Sequence, residues 1–283
     1  PASGQGGKIE VRPPVGENHT LRLGADYRRS EGDLAEDAFN AMTGVRTAQR
    51  FAGGVNTDLG LYLEHDWELG PVTLTGGVRG DRYTIRNGYY RALSGDGSVV
   101  TADNVFPDRS DWEFSWRGGA VVEAAEGLQL RGAAYTGLRL PTLNELYRPF
   151  VVFPVTTQAN ENLLPERLEG FDVGIDWRAA PGVRLTATYF DNKVKDAITN
   201  VTIGPNLRQR RNIDAIEAQG IEFGAQLDLG AFGFDGSVAY TDAEQRGTGF
   251  AAPLDGFRPA QTPRWAASAT ASWRPAEGTL LAS

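Results

Sequence analysis

The sequence predicts an all-β fold, an antiparallel up-and-down transmembrane β-barrel present in part, and three observations point to it. Apolar residues recur at every second position in about a dozen stretches. Short turns and long polar links alternate between those stretches without exception. Tryptophans sit beside the short turns, on the apolar faces. A period of two is the strand period, and a strand greasy on one face and wet on the other separates two media.

The bulk numbers agree. The chain has 283 residues, 41% of them hydrophobic, with a mean hydropathy of −0.34. No run approaches the roughly 18 apolar residues of a spanning helix, but barrel strands carry only a weak signal per segment. Thirty-five glycines and a single methionine disfavour a helical bundle. The absence of cysteine excludes disulfides and thiolate metal sites. A net charge of −8, with no basic stripe interleaved with aromatics, argues against nucleic acid as a partner. Residues 1–7 show no charged region followed by an apolar stretch, so a processed or partial chain is expected.

Taken in order, strands are expected at 7–12, 19–29, 57–69, 72–86, 110–123, 128–139, 168–178, 183–199, 210–229, 232–243, 263–274 and 279–283. In the third, Leu59, Leu61, Leu63 and Trp67 oppose Asp58, Gly60, Glu64, Asp66 and Glu68. In the seventh, Phe171, Val173, Ile175 and Trp177 oppose Asp172, Gly174, Asp176 and Arg178. In the eighth, Val183, Leu185, Ala187 and Tyr189 face away from Arg184, Thr186 and Thr188. Ile221, Phe223, Ala225, Leu227 and Leu229 mark the ninth, and Trp265, Ala267, Ala269, Ala271 and Trp273 the eleventh.

Short connections fall at 13–18, 70–71, 124–127, 179–182, 230–231 and 275–278, nearly all with Gly or Pro, as tight antiparallel turns require. Long links fall at 30–56, 87–109, 140–167, 200–209 and 244–262. An up-and-down barrel then gathers its tight turns at one end and its long loops at the other, the asymmetry of outer-membrane barrels. Trp67, Trp177 and Trp273 lie near the tight turns, where indole suits a membrane–water boundary.

Four segments carry a resemblance. Residues 135–147 read YTGLRLPTLNELY and resemble the GFRAPTLNELY segment of TonB-dependent outer-membrane receptors, with Leu138-Arg139-Leu140 where Phe-Arg-Ala is commoner. Residues 160–166, NENLLPE, are similar to that family's NPNLKPE element, with Glu161 and Leu164 in place of Pro and Lys. Residues 189–198 resemble the next family strand, and Asn212, Gly220 and Glu222 its N…GxE strand. The clearest similarity covers residues 128–275.

The resemblance implies that 1–283 is a TonB-dependent receptor β-barrel domain, about 12 of an expected 22 strands, without the plug domain or TonB box. It implies the outer membrane of a Gram-negative bacterium, with membrane lipid and lipopolysaccharide, the receptor's own plug, the TonB complex and a small ligand as partners. It further implies energised uptake of a scarce ligand, most readily a ferric siderophore, with cobalamin or carbohydrate as alternatives. A passive porin and a soluble β-structural protein remain as rival readings.

Within the motifs, Pro141 restricts Leu140 to extended geometry and removes a donor, leaving Thr142 to cap a short helical turn. Arg139, Pro141, Thr142, Asn144, Glu145, Asn160, Asn162, Pro165, Glu166, Asn212, Gly220 and Glu222 are expected to be structural. Tyr89, Tyr90, Arg91, Tyr147, Arg148, Phe150 and Phe153 read as aromatic and basic loop tips, either ligand-binding or loop-packing. Arg208, Arg210 and Arg211 form a basic run, either solvated or facing an anionic ligand or a lipopolysaccharide phosphate. The two histidines, His19 and His65, form no Ser/His/acid arrangement, and no spacing of metal ligands occurs. Neither enzymatic activity, nor a cofactor, nor a metal is expected.

Overall fold

In the computed structural model, which describes residues 2–40, 42–274 and 280–282, the chain forms one fifteen-stranded sheet. In chain order the elements are β1 (Ala2–Val11), β2 (His19–Phe39), β3 (Arg46–Leu69), β4 (Val72–Ser94), β5 (Val100–Val105), β6 (Arg109–Ala125) and β7 (Leu128–Arg139). Then follow α1 (Leu143–Tyr147), β8 (Phe150–Val152), β9 (Val155–Gln158), β10 (Glu166–Ala180), β11 (Val183–Gly204) and β12 (Leu207–Leu229). β13 (Phe232–Arg246), a 3-10 turn (Gly249–Leu254), β14 (Trp265–Trp273) and β15 (Leu280–Ala282) complete it. Twelve strands make an unbranched antiparallel path, β1-β2-β3-β4-β6-β7-β10-β11-β12-β13-β14-β15, and the two ends of that path do not pair. The expected turn at 275–278 lies outside the described residues, as do the first and last residues of the expected strand 279–283.

The tight turns stand where the Gly and Pro signals put them, but most of the long links are shorter than expected. β2 and β3 stay paired as far as Phe39 and Arg46, and β11 and β12 as far as Gly204 and Leu207, so 200–209 is a tight hairpin. β5 folds back on β4 within 87–109, with Tyr89 opposite Val105. Beyond the apolar belt a strand meets water at some positions and folded-back loops at others, as the buried Ala52, Val55, Ala197 and Val201 show, so side-chain alternation lapses. The backbone ladder carries on regardless, because its hydrogen bonds do not depend on which residues supply them.

The two faces differ in a way that sets the curvature. On the polar face, side chains two strands apart touch. Arg79 of β4 donates to Asp26 of β2 at 2.6 and 3.0 Å, and Tyr62 of β3 donates to Glu10 of β1 at 2.7 Å. Such reach needs that face to be concave. On the other face Leu61, Val78, Val173 and Phe223 are 49–58% exposed, and no second protein layer covers them among the described residues. The dry-sandwich alternative fails on this point, because an uncovered apolar area of this size in water invites association.

Trp67, Trp177 and Trp273 all lie on the apolar face, 40–47% exposed, opposite Leu74, Leu185 and Phe232 respectively. Each is a few residues from a tight turn. Toward the loop end a second aromatic group stands on the same face: Trp112, Phe114 and Trp116 of β6, and Trp265 beside Tyr240 at 4.9 Å.

Candidate functional site

At the loop end the chain folds back over the concave side. The segment between β7 and β10 makes this possible. Thr142 is the N-cap of α1: its hydroxyl accepts from the Glu145 N–H at 3.2 Å, and the Glu145 carboxylate accepts from the Thr142 N–H at 2.8 Å. This reciprocal capping box satisfies two donors that a one-turn helix would otherwise leave open. Arg139 donates to Glu145 at 3.0 and 3.2 Å and also to Glu166, whose second oxygen accepts the Ile198 N–H at 2.6 Å. Burial alone would raise the Glu145 carboxyl, but the Arg139 guanidinium and the Thr142 donors outweigh it and hold it below its usual value of 4.5.

That sign sets a pH dependence. A depressed carboxyl stabilises the anchor above the unfolded value and loses its effect as pH falls through the folded one. The loop at 140–166 is therefore expected to hold at neutral pH and to loosen below about 4.5, read as a loss of amide protection at Glu145 and Leu146 relative to the intrinsic exchange rate at each pH. Glu145→Gln should show low protection at both pH values.

The second motif fastens the far end of the same segment. Asn160 donates its side-chain N–H to the Arg210 carbonyl at 3.0 Å, and its side-chain oxygen accepts the Asn162 N–H at 3.0 Å. Asn212 accepts the Leu164 N–H at 2.9 Å and donates to the carbonyls of Leu164 and Asp196 at 3.1 and 2.6 Å. Pro165 is buried between these contacts, while Gly220 is buried further along β12 and Glu222 is exposed on its polar side. Beneath the segment Leu146, Tyr147 and Leu163 are at most 2% exposed and pack with Ala52 and Ile85. The Tyr147 ring stacks on Phe106 at 4.9 Å and lies so close to Gly88 that a Cβ there would stand 2.4 Å from it.

The structure redistributes the expected loop-tip residues. Tyr147 is an anchor, 2% exposed, and only an edge of it meets the cavity at the mouth. Tyr89 sits on the convex side, its hydroxyl donating to Asp33 at 2.9 Å, and the exposed Arg91 shares that side of β4. Tyr90 alone of that trio turns inward. Arg148 donates to Glu36 at 2.6 Å. Arg210 lies 5.1 Å over the Phe150 ring and donates to the carbonyls of Asn144 and Arg148; burial pulls its guanidinium down. Arg211 lies 4.7 Å over Phe250. Arg208 is exposed, as is Phe153, at 86%. The basic run thus splits: two members are held by rings and carbonyls, and one is open.

Between the β4–β5 hairpin and the anchored segment lies a cavity of about 680 Å³, lined by Arg50, Tyr90, Asp103, Asn104, Phe106, Val151, Gln158 and Glu161 among others. Burial pushes the Tyr90 phenol up, keeping it a neutral donor. Arg50 donates to Glu36 at 3.4 Å from the wall. Of the expected ligand residues only Tyr90 and Tyr147 reach this cavity. Arg50, Asn104 and Gln158 carried no sequence signal, since Arg50 sits on a strand extension where alternation has lapsed and Asn104 and Gln158 on the short strands β5 and β9 inside the expected long links.

A wall apolar outside and polar inside, with loops folded over its mouth to leave a cavity, defines a β-barrel of the receptor type. The chain belongs to the TonB-dependent receptor β-barrel family, whose model matches residues 2–281. It is 26% identical over 207 residues to the vitamin B12 transporter BtuB of Vibrio vulnificus, covering 65% of this chain and 32% of that protein. Its fold resembles the ferric yersiniabactin uptake receptor FyuA from Yersinia pestis (TM-score 0.73, 15% identity, 99% of this chain and 41% of that one). It also resembles the FrpB iron transporter from Neisseria meningitidis (TM-score 0.66, 19% identity, 99% and 41%). The chain spans about a third of the length of the curated relative and two fifths of the solved structures.

Proposed function

We propose that this chain forms wall and mouth of a Gram-negative outer-membrane transporter taking up a scarce, bulky iron chelate of the siderophore type. Transport is driven through TonB acting on a plug held inside the barrel. The apolar belt meets lipid, the concave face meets the plug, and the loop end faces the exterior. The observation that carries the ligand reading is the mouth cavity. Its size falls in the range of small-molecule sites, and Arg50, Tyr90 and Gln158 offer donors suited to the oxygen-rich surface of a metal chelate. Arg148, Phe150, Phe153, Arg208 and Arg210 remain candidates beside it; Tyr89 and Arg91, on the convex side, and Arg211, on the face opposite Arg210 and over Phe250, drop out of the set.

A second reading, cobalamin, is favoured by the vitamin B12 transporters among the sequence relatives. Uptake assays separate the two. Cells expressing the receptor are expected to accumulate a labelled ferric siderophore, with accumulation abolished by a protonophore or by loss of TonB. Accumulation of labelled cobalamin instead replaces the ligand, and uptake indifferent to both treatments points to a passive pore.

A further inference from the structure

The only two histidines of the chain meet. His19 opens β2 and His65 lies 46 residues later on β3, yet His19 Nδ1 stands 3.0 Å from His65 Nε2. Both belong to the apolar face at the tight-turn end. His19 is in register with Trp67 and His65 with Leu21, which makes the histidines diagonal neighbours across the ladder. Spacing along the chain gives no hint of this, because strand register alone brings them together.

The rings meet in a particular way. Their centroids are 5.2 Å apart and their planes 15° from parallel. The centroid separation exceeds the nitrogen–nitrogen distance by about the width of an imidazole. The rings therefore stand edge to edge, nitrogen facing nitrogen, with one inner nitrogen donating and the other accepting. The outer nitrogens, His19 Nε2 and His65 Nδ1, have no protein hydrogen-bond partner among the described residues. Either can take up the shared proton, and the inner pair then presents two lone pairs along one line. Trp67 fixes the His19 ring, its centroid 5.7 Å away.

A metal–imidazole bond is about 2 Å long, so an ion between the inner nitrogens needs them about 4 Å apart. Diagonal neighbours start from about 7–8 Å, and rotation of the two side chains gives that opening without disturbing the ladder. No third histidine, cysteine or carboxylate joins the pair among the described residues. Zinc, which takes four ligands in a tetrahedron, lacks half of its protein donors here. A soft, singly charged ion satisfied by two nitrogens in line has both.

The geometry points to a linear bis-imidazole site for a soft monovalent cation of the cuprous class, bridging β2 and β3 at the tight-turn rim. Binding forms two nitrogen–metal bonds and breaks the hydrogen bond between the rings. The proton moves to an outer nitrogen, so a neutral pair releases none. The site lies at the far end of the strands from the mouth cavity and stands apart from the reading of the transported ligand.

The test is metal binding by the receptor carrying this chain, folded in detergent micelles. Silver(I) nitrate is the redox-inert probe, followed by cuprous ion under reductant in competition with a chromophoric chelator. Wild type is expected to bind one equivalent more than His19→Gln/His65→Gln. Each single variant should hold that equivalent more weakly by over about 100-fold, the upper worth of a mere outer-sphere partner. Zinc(II) at equal concentration should not displace silver, and X-ray absorption of the added equivalent should show two nitrogen neighbours. Equal stoichiometry in wild type and the double variant removes the site. Zinc held as tightly as silver, or four neighbours around the ion, overturns the linear assignment. Should a variant fail to reach a folded, heat-modifiable barrel, the wild-type absorption spectrum and the zinc competition decide alone.

Discussion

Replacing Arg79 by methionine is expected to destabilise the barrel wall by about 3 kcal/mol, the lower end of the cost of breaking a buried ion pair. The guanidinium bridges two acids. Its Nε donates to both Asp81 oxygens at 2.8 and 2.9 Å, and its terminal nitrogens donate to Asp26. Asp81 is 4% exposed and the Asp26 side chain 11%. The bridge crosses Gly60, which lies between them in one register row; a Cβ there would fall 1.9 Å from the guanidinium, so glycine is what lets the arginine pass. Without it two carboxylates face each other, and Asp58, the next inward position on β3, already has a buried oxygen without a partner. Urea unfolding in micelles gives the loss directly. Adding Asp26→Asn and Asp81→Asn should restore stability to within about 1 kcal/mol, because the uncompensated charge is gone. A loss below about 1 kcal/mol in the single variant means that lumen water already screens the acids.

Tyr147→Ala is expected to act on the mouth and leave the wall untouched. Removing a buried aromatic ring costs about 3–5 kcal/mol, and here the ring holds α1 onto β3 and β4, beside the β8–β9 hairpin that pairs with β12. The loss falls on a local opening of residues 140–165. Limited proteolysis should cut within 149–159, and ligand binding at the mouth cavity should fall by at least about tenfold. The global unfolding midpoint of the barrel should stay in place. Tyr147→Phe keeps the stacked ring and should behave nearly as wild type. A global destabilisation as large as the local one would show that the segment is part of the wall's own cooperative unit.

Both expectations concern contacts that differ in legibility. The apolar and polar faces of β3, β10 and β12 could be read residue by residue, because alternation is a local consequence of the pleat. The N-cap was legible too, since Thr142 follows a proline at the head of a short turn, whereas the return bond accepted by Glu145 came only with the structure. The long links were not legible. Residues 30–39 and 46–56 alternate poorly, yet they pair as strands, because their faces meet a mixture of water and folded-back loop that imposes no regular hydrophobic period. Tyr89 and Tyr90 are neighbours that the pleat sends opposite ways, and which of them turns inward was decided by the irregularity at Asn87 and Gly88, where the register with β3 shifts.

By itself, then, the order of residues determined which side of each ribbon is greasy, where the tight turns come and that a proline-led motif begins a capped turn, since each of these is settled within a few neighbours. Only the tertiary structure decided what meets across the mouth: Glu36 with Arg148, Asn56 with the Pro141 carbonyl at 3.2 Å, Tyr147 against Gly88. Those partners lie far apart along the chain. Strand register alone brings them together, and register is the sum of many backbone pairings that no single residue announces.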